Sequence, residues 1–227
     1  MCIRDRYRTW PAELPRHVEV RIVQLPGREN RMGEAPYTGM EALLPALEQA
    51  IRPQLSRPFA FFGHRLGALL AFELARALRR SGGPEPVQLF VSGRPAPHLL
   101  ARDMPIHALP DAAFIEQLRV QYNGIPPVLL AEPELLKLFL PILRADLCLI
   151  ETARHTGEET LDLPISAFGG LRDPRVTRDD LAAWHAQTRR AFTLQMFPGD
   201  HFYLQTARTQ LLRTLTEELE QLLMEPL

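Results

Sequence analysis

This sequence has few cysteines, no long apolar runs and no large excess of positive or negative charge. The 227 residues include only two cysteines, Cys2 and Cys148, which form neither a C-x-x-C pair nor a disulfide framework. This cysteine usage is typical of a reducing compartment, so we expect a cytoplasmic protein. No stretch approaches the roughly 20 continuous apolar residues of a membrane span, and the first residues lack the apolar core of a signal peptide. We therefore expect no membrane partner.

The charge balance and the histidine spacing exclude two further classes of function. Lysine and arginine total 26, aspartate and glutamate total 27, and the formal net charge of −1 makes nucleic acid an unexpected partner. The seven histidines show neither H-x-H nor H-E-x-x-H spacing, which argues against a metal site. The glycines form no phosphate-binding loop. We expect neither a metal nor a cofactor.

Strand-like and helix-like segments alternate along most of the chain. Short runs rich in β-branched and aromatic residues predict strands, and several segments between them have helical periodicity. This alternation predicts an α/β fold, a mostly parallel sheet flanked by helices. The predicted strands span residues 18–25, 58–62, 87–92, 165–168 and 192–197, and the predicted helices span residues 66–80, 178–187 and the C-terminal segment.

The alternation is interrupted once. Residues 107–155 predict consecutive helices with a break at Pro126 and Pro127, and we interpret them as a helical lid inserted into a core domain. We expect residues 7–106 and 156–227 to form the core, and we expect residues 1–6 to be an atypical start that replaces a missing first strand. Five apolar lid residues either line a pocket or pack together, and packing is favoured. They are Leu129, Leu130, Leu138, Phe139 and Leu143.

The most informative motif consists of Gly63, His64, Arg65, Leu66 and Gly67, because it follows an apolar run and opens a helix. The pattern matches a G-x-S-x-G nucleophile elbow, in which two glycines permit a sharp turn from strand to helix around a serine. Arg65 occupies the position of that serine. A guanidinium is always protonated and offers no lone pair, so it cannot attack a carbonyl carbon as an activated serine oxygen does.

Asp173 and His201 complete the chain order of nucleophile, acid and histidine that α/β-hydrolases use. Each follows a predicted strand, where Asp173 could orient the imidazole of His201 and His201 could act as general base. The alternatives are a surface-turn aspartate before Pro174 and an ordinary loop histidine, and the matching order favours the catalytic interpretation. A guanidinium in such a site also needs a partner, so we hypothesise that Arg65 pairs with Asp173 and diverts it from His201.

Four longer strings resemble type II thioesterases of nonribosomal peptide and polyketide synthesis. The strings are Gln24-Leu25-Pro26-Gly27-Arg28-Glu29-Asn30-Arg31, Phe61-Phe62-Gly63-His64, Leu89-Phe90-Val91-Ser92-Gly93-Arg94-Pro95-Ala96-Pro97-His98 and Pro198-Gly199-Asp200-His201-Phe202. The resemblance extends over nearly everything from Tyr7 onward. It implies a free-standing α/β-hydrolase with a helical lid, which edits antibiotic biosynthesis by removing stalled or wrong acyl groups from the phosphopantetheine arm of carrier domains.

The resemblance also implies roles for individual residues. Position 65 would be the nucleophile, His201 its base and Asp173 the residue that holds His201. The N–H of Leu66 would be one oxyanion donor, and we expect the loop that carries the second donor to be missing. Loss of one donor costs roughly 10²–10³ in turnover and loss of the serine costs more, so the chain is predicted to be inactive or severely impaired.

Two other functions stay open. One is a noncatalytic pseudo-thioesterase that binds carrier proteins, and the other is an esterase acting on small oxygen esters, since fold alone does not determine the substrate. In each case we expect a monomer.

Overall fold

A computed structural model of the chain describes residues 7–122, 132–155 and 160–224. Its four strands are β1 (Ala60–His64), β2 (Gln88–Ser92), β3 (Ile165–Gly170) and β4 (Phe192–Phe197). Its α-helices are α1 (Met40–Ile51), α2 (Leu66–Arg80), α3 (Asp111–Tyr122), α4 (Pro133–Thr152), α5 (Arg178–Ala182), α6 (Tyr203–Thr206) and α7 (Arg208–Met224). None of the helices within these described ranges combines the length and the apolar character of a membrane span.

The strands form one parallel sheet in the order β1-β2-β3-β4. The α/β fold with a parallel sheet is therefore confirmed. All four carboxyl ends lie at one edge of the sheet, because Phe62 pairs with Phe90 and Phe90 pairs with Ser166 in parallel register. The residues that follow the strands are thereby brought to the same edge.

Both faces of the sheet are buried. Leu89 and Val91 of β2 pack into one cluster with Phe72 of α2 and with Trp184. Phe90, which lies between them in the strand, packs into a second cluster with residues of α7. Successive side chains of a strand point to opposite faces, so helices cover both sides, as a parallel sheet requires.

The predicted strand over residues 18–25 is wrong. Exposure does alternate along this segment, but no described residue forms a strand ladder with it. Alternation is encoded by the order of the side chains, whereas a ladder also needs a neighbouring backbone with unpaired N–H and C=O groups. No described segment supplies that neighbour.

The chain divides into two compact units, and each can be described by itself. One contains Val23–Leu43 and Ala101–Arg154, and the other contains Asp5–Ile22, Leu44–Leu100 and His155–Leu227. The sequence did not predict that Val23–Leu43 belongs with the helical segment. The limits of the lid, residues 107–155, stay a prediction.

The helical unit has a small core of its own. Phe114 and Leu118 of α3 pack with Leu140 of α4, and Leu143 packs against this cluster as expected. Leu138 is 47% exposed, so core packing is wrong for this residue, while Phe139 is half-buried. The other residues named for this region lie outside the described residues, namely Pro126, Pro127, Leu129 and Leu130.

A polar network joins three strands to the C-terminal helix. The carboxylate of Glu218 on α7 accepts hydrogen bonds from the hydroxyl of Ser166, the amide of Gln88 and the hydroxyl of Thr193. Burial raises the pKa of the Glu218 carboxyl above its usual range, although the hydrogen bonds from Ser166 and Thr193 oppose this shift. Within the described residues no cation pairs with Glu218.

Candidate active site

The chain makes a sharp turn between β1 and α2, at the motif that resembles a nucleophile elbow. Arg65 adopts φ 57° and ψ −116°, a conformation that is strained for a residue other than glycine. Its N–H donates to the carbonyl oxygen of Ser92, 2.9 Å away, and its own carbonyl accepts from Ala68 and Leu69 in the first turn of α2. The backbone at position 65 is thus held from both sides.

The two glycines of the motif have different roles. A Cβ on Gly63 would lie closer than 3.0 Å to the backbone of Gly67 and Ala68, so β1 and α2 can approach each other here only without a side chain. A Cβ on Gly67 would have no neighbouring atom within 4 Å. The prediction that both glycines permit the turn therefore holds for Gly63 and is wrong for Gly67.

Asp173 and His201 meet at the carboxyl ends of β3 and β4. His201 Nδ1 lies 2.6 Å from Asp173 Oδ2, and the two side chains are 9% and 0% exposed. The two loops are packed tightly, because a Cβ on Gly170 would lie closer than 3.0 Å to the carbonyl oxygen of Asp200. Local sequence places each residue after its strand, and this close approach brings the two loops together.

The carboxylate of Asp173 is held in its charged form. Burial by itself would raise its pKa, but hydrogen bonds from His201 and from the N–H groups of Arg175 and Val176 lower the pKa below its usual range. A charged acceptor at Nδ1 favours a ring proton on that nitrogen. The other nitrogen, Nε2, is then the one that can accept a proton, as the nitrogen of a general base does.

The Nε2 atom of His201 is buried and makes no hydrogen bond to any described residue. In a Ser-His-Asp triad this nitrogen accepts the hydroxyl of the serine. The hypothesis that Arg65 pairs with Asp173 is wrong, because Asp173 keeps its hydrogen bond to His201 and no ion pair joins it to Arg65 in the part of the chain that is described. The structure thus brings His201 and Asp173 together, and their roles as base and orienting acid stay predictions.

Leu66 is the first residue of α2, a helix of 15 residues. The N–H groups of the first helical turn have no partner within the helix and carry the positive end of its dipole. The predicted role of Leu66 as an oxyanion donor agrees with this position and stays a prediction.

The sequence did not reveal two polar residues of this region. Ser92, the last residue of β2, and Tyr203, the first residue of α6, are fully buried and hydrogen-bonded to each other. Ser92 also lies 2.8 Å from Nδ1 of His64, which was predicted only as the variable residue of the motif. The available signal was that Tyr203 follows His201 by two residues and that Ser92 ends a strand beside β1.

No group of three or more potential metal ligands occurs among residues 7–122, 132–155 and 160–224. The histidine pair nearest to the site is His64 and His201, whose ring centroids are 5.5 Å apart.

Comparison with known proteins decides the family. The family model described as "Thioesterase domain" matches residues 3–219. The chain belongs to the thioesterase family. The resemblance to type II thioesterases of nonribosomal peptide and polyketide pathways is confirmed by the relatives of this thioesterase, and the family consists of acyl thioester hydrolases.

Three relatives illustrate the similarity. The gramicidin S biosynthesis protein GrsT of Aneurinibacillus migulanus is 41% identical over 210 residues, which cover 92% of this chain and 82% of GrsT. The thioesterase RedJ from the prodiginine pathway of Streptomyces coelicolor is 38% identical with a TM-score of 0.85, covering 95% of this chain and 81% of RedJ. YbtT, a type II thioesterase from the yersiniabactin pathway, is 28% identical with a TM-score of 0.83, covering 96% and 88%.

Proposed function

We propose that this thioesterase is built to receive acyl thioesters carried on the phosphopantetheine arm of carrier proteins, and that covalent hydrolysis is blocked at Arg65. The observation that carries the proposal is the buried Nε2 of His201, which is oriented through Asp173 and lacks a hydrogen-bond partner among the described residues. Such a nitrogen fits a serine hydroxyl at position 65, on the turn between β1 and α2.

The reaction of a serine at this position can be written with its protons. The serine oxygen attacks the thioester carbonyl carbon while His201 Nε2 takes the hydroxyl proton, and the carbon–sulfur bond breaks as His201 returns the proton to the leaving thiol. Water then attacks the acyl ester with His201 as base, and the acid and the serine are released. Arg65 has no oxygen to form the first bond.

The choice of substrate rests on the relatives. GrsT is named for gramicidin S biosynthesis, and YbtT is a type II thioesterase of a mixed peptide and polyketide pathway. Such pathways keep their intermediates as thioesters on carrier domains. We therefore assign acyl and peptidyl carrier proteins as the partners, with removal of stalled or wrong acyl groups as the reaction of the serine-containing form.

The test restores the missing atom. Arg65→Ser is compared with the chain as written, with Arg65→Ala and with Arg65→Ser/His201→Ala, first for labelling by a fluorophosphonate and then for hydrolysis of an acyl-pantetheine thioester. Loss of the serine costs on the order of 10⁶ in a triad hydrolase, so we expect Arg65→Ser to raise hydrolysis by at least about 10³-fold. Only Arg65→Ser should be labelled.

The control variants distinguish the ways in which the proposed function could be wrong. Arg65→Ala removes the guanidinium without adding a nucleophile, so activity in that variant would mean that Arg65 merely obstructs another group. Labelling of Arg65→Ser/His201→Ala at the rate of Arg65→Ser would refute His201 as the base. A folded Arg65→Ser variant that is neither labelled nor active would refute the proposed site.

A second function follows from Arg65 itself. A residue that removes the nucleophile while the pair of Asp173 and His201 stays assembled favours a thioesterase that binds loaded carriers without hydrolysing them. This pseudo-thioesterase predicts that the chain as written binds an acyl carrier protein more tightly than the unloaded carrier and leaves the thioester intact. Equal binding of both carriers would exclude it.

A further inference from the structure

His201 lies in the middle of a tight turn between β4 and α6. The carbonyl oxygen of Asp200 accepts the N–H of Tyr203, 3.1 Å away, so residues 200–203 close a β-turn whose two central residues are His201 and Phe202. Phe202 has φ −103° and ψ 22°, close to the values of the third residue in a type I turn. The direction in which the His201 side chain leaves the backbone therefore depends on this turn.

The side chain of Asp200 closes the same turn a second time. Its Oδ1 atom accepts the N–H of Phe202 at 2.8 Å, an Asx-turn, and aspartate is a favoured first residue of a type I turn. Asp200 is exposed, and its carboxylate forms no ion pair with any residue of the described chain. The contact of this carboxylate thus belongs to the turn, and not to the core or to a charge network.

The chain enters this turn through a glycine. Gly199 has φ 127°, in a region that residues with side chains rarely adopt, and a Cβ there would lie 2.7 Å from Oγ1 of Thr206. The carbonyl oxygen of Gly199 accepts the N–H of Arg172, 2.8 Å away, and Arg172 precedes Asp173 in the chain. The turn that carries His201 is thus fastened to the loop that carries Asp173.

The side chain of Asp200 is the restraint that a substitution can remove without altering the backbone. The carbonyl oxygen of Asp200 faces Gly170, and this contact remains in any variant at position 200. The carboxylate, in contrast, restrains Phe202, the residue directly after His201. A turn that loses this restraint has more conformations available to it, and His201 then reaches Asp173 in only a fraction of them.

We propose that Asp200 is a positioning residue, whose carboxylate holds the turn of residues 200–203 so that Nδ1 of His201 stays on Asp173. The proposal deepens the proposed function and rests on it for its catalytic meaning. His201 Nδ1 lies 2.6 Å from Asp173 Oδ2, and in the proposed reaction this hydrogen bond leaves Nε2 to take the proton of a serine at position 65. Misplacement of a reacting group by about 1 Å can cost about 100-fold in rate, so a restraint beside the base has a measurable effect.

The first test needs no catalytic activity. A ring N–H that donates to a carboxylate is protected from exchange with water, and its proton resonates downfield of the backbone amides. In the chain as written, the Nδ1 proton of His201 is assigned by its loss in His201→Gln. We expect this resonance to persist in Asp200→Asn, whose amide oxygen also accepts from Phe202. It should broaden or disappear in Asp200→Ala, which has no acceptor, and in Asp200→Glu, whose oxygens lie one bond further from the backbone.

The structure supplies an internal control for these spectra. In the helical unit, Nδ1 of His107 lies 2.6 Å from the carboxylate of Glu151, the same separation as between His201 and Asp173. The His107 resonance, assigned by His107→Gln, should be the same in every variant of Asp200. If Asp200→Ala loses it and so fails to fold, Asp200→Asn and Asp200→Glu still decide the matter. An unchanged His201 resonance in a folded Asp200→Ala or in Asp200→Glu, or its loss in Asp200→Asn, would overturn the proposal.

The second test connects the turn to catalysis. In the Arg65→Ser background, Asp200→Ala and Asp200→Glu should slow fluorophosphonate labelling by about ten- to a hundredfold, whereas Asp200→Asn should stay within about twofold of its parent. Asp162→Ala is the matched control, because it also removes an exposed carboxylate, whose partner Arg190 is exposed as well. This control should leave the labelling rate unchanged.

The outcomes distinguish this proposal from the proposed function. If Arg65→Ser is not labelled at all, the proposed function fails, and the His201 resonance still decides whether Asp200 holds the turn. If Asp200→Asn is labelled as slowly as Asp200→Ala, the negative charge matters and the hydrogen bond to Phe202 does not, which refutes the proposal. A parental rate in Asp200→Ala refutes it as well.

Discussion

The two glycines of the elbow motif provide the sharpest test of the structural reasoning, because the same substitution should have opposite effects at the two positions. In Gly63→Ala the new Cβ would lie closer than 3.0 Å to the carbonyl oxygen of Gly67, whereas ordinary van der Waals contacts begin at 3.4 Å. The obstructing atoms belong to the backbone of α2 and cannot rotate away. Gly63→Ala must therefore separate β1 from α2, and overpacking of this kind costs about 1–3 kcal/mol.

In Gly67→Ala the new Cβ meets no atom within 4 Å. Replacing a helical glycine by alanine lowers the conformational entropy of the unfolded chain and stabilises a helix by about 0.5–1 kcal/mol. The free energies of unfolding of the two variants should thus differ by roughly 2–4 kcal/mol, with the unsubstituted chain between them.

Urea denaturation followed by circular dichroism measures this difference, provided that the slope of the transition is the same in all three proteins. Fluorophosphonate labelling of each glycine variant, made in the Arg65→Ser background, then shows whether the turn still holds the serine at position 65 in a reactive position. Equal stability of the two variants, or a more stable Gly63→Ala, would refute the argument that only Gly63 is required by the close approach of strand and helix.

Two further predictions concern charged groups. Glu218→Gln should become more stable relative to the parent as the pH rises. The raised carboxyl pKa of Glu218 stabilises the parent fully below the pKa of the unfolded chain, about 4.3. This stabilisation is lost as the pH rises through the pKa of the folded state. Urea denaturation at pH 4 and pH 8 measures this, and an unchanged difference between the two pH values would contradict it. Asp146→Ala should destabilise the protein by about 1–3 kcal/mol, because it removes the carboxylate partner of the buried Arg28, whereas Asp162→Ala should cost about 0–1 kcal/mol because its partner Arg190 is exposed. Equal losses in the two variants would show that burial of the arginine is unimportant.

Much of the fold could be predicted because it depends on local patterns. The helix over residues 66–80 has the bounds that its periodicity and its terminal glycines indicate, and the strand over residues 192–197 is also where it was expected. Residues 18–25 have the alternation of a strand without its partner, since the pattern of one segment says nothing about whether a second backbone lies beside it.

The candidate site, like the fold, could be predicted from the sequence only in part. Chain order and position after a strand were sufficient to select Asp173 and His201, whereas the hydrogen bond between them became visible only in the structure. The hypothesis that Arg65 diverts Asp173 failed for a physical reason. Asp173 already accepts from His201 and from two backbone N–H groups, and these donors are fixed by the loop, whereas a long arginine side chain would lose its conformational freedom to compete with them.

The amino-acid sequence by itself determined that this chain has an alternating α/β order, that it resembles type II thioesterases, and that Arg65 stands where the elbow pattern has a serine. These properties depend on residue identity and short spacing, which a linear chain already contains. The tertiary structure alone decided that Gly63 rather than Gly67 is sterically required, and that Ser92 lies within hydrogen-bond distance of both His64 and Tyr203, which is 111 residues further along the chain. Contacts of this kind depend on which strand ends the sheet brings together, and only the packed fold provides that arrangement.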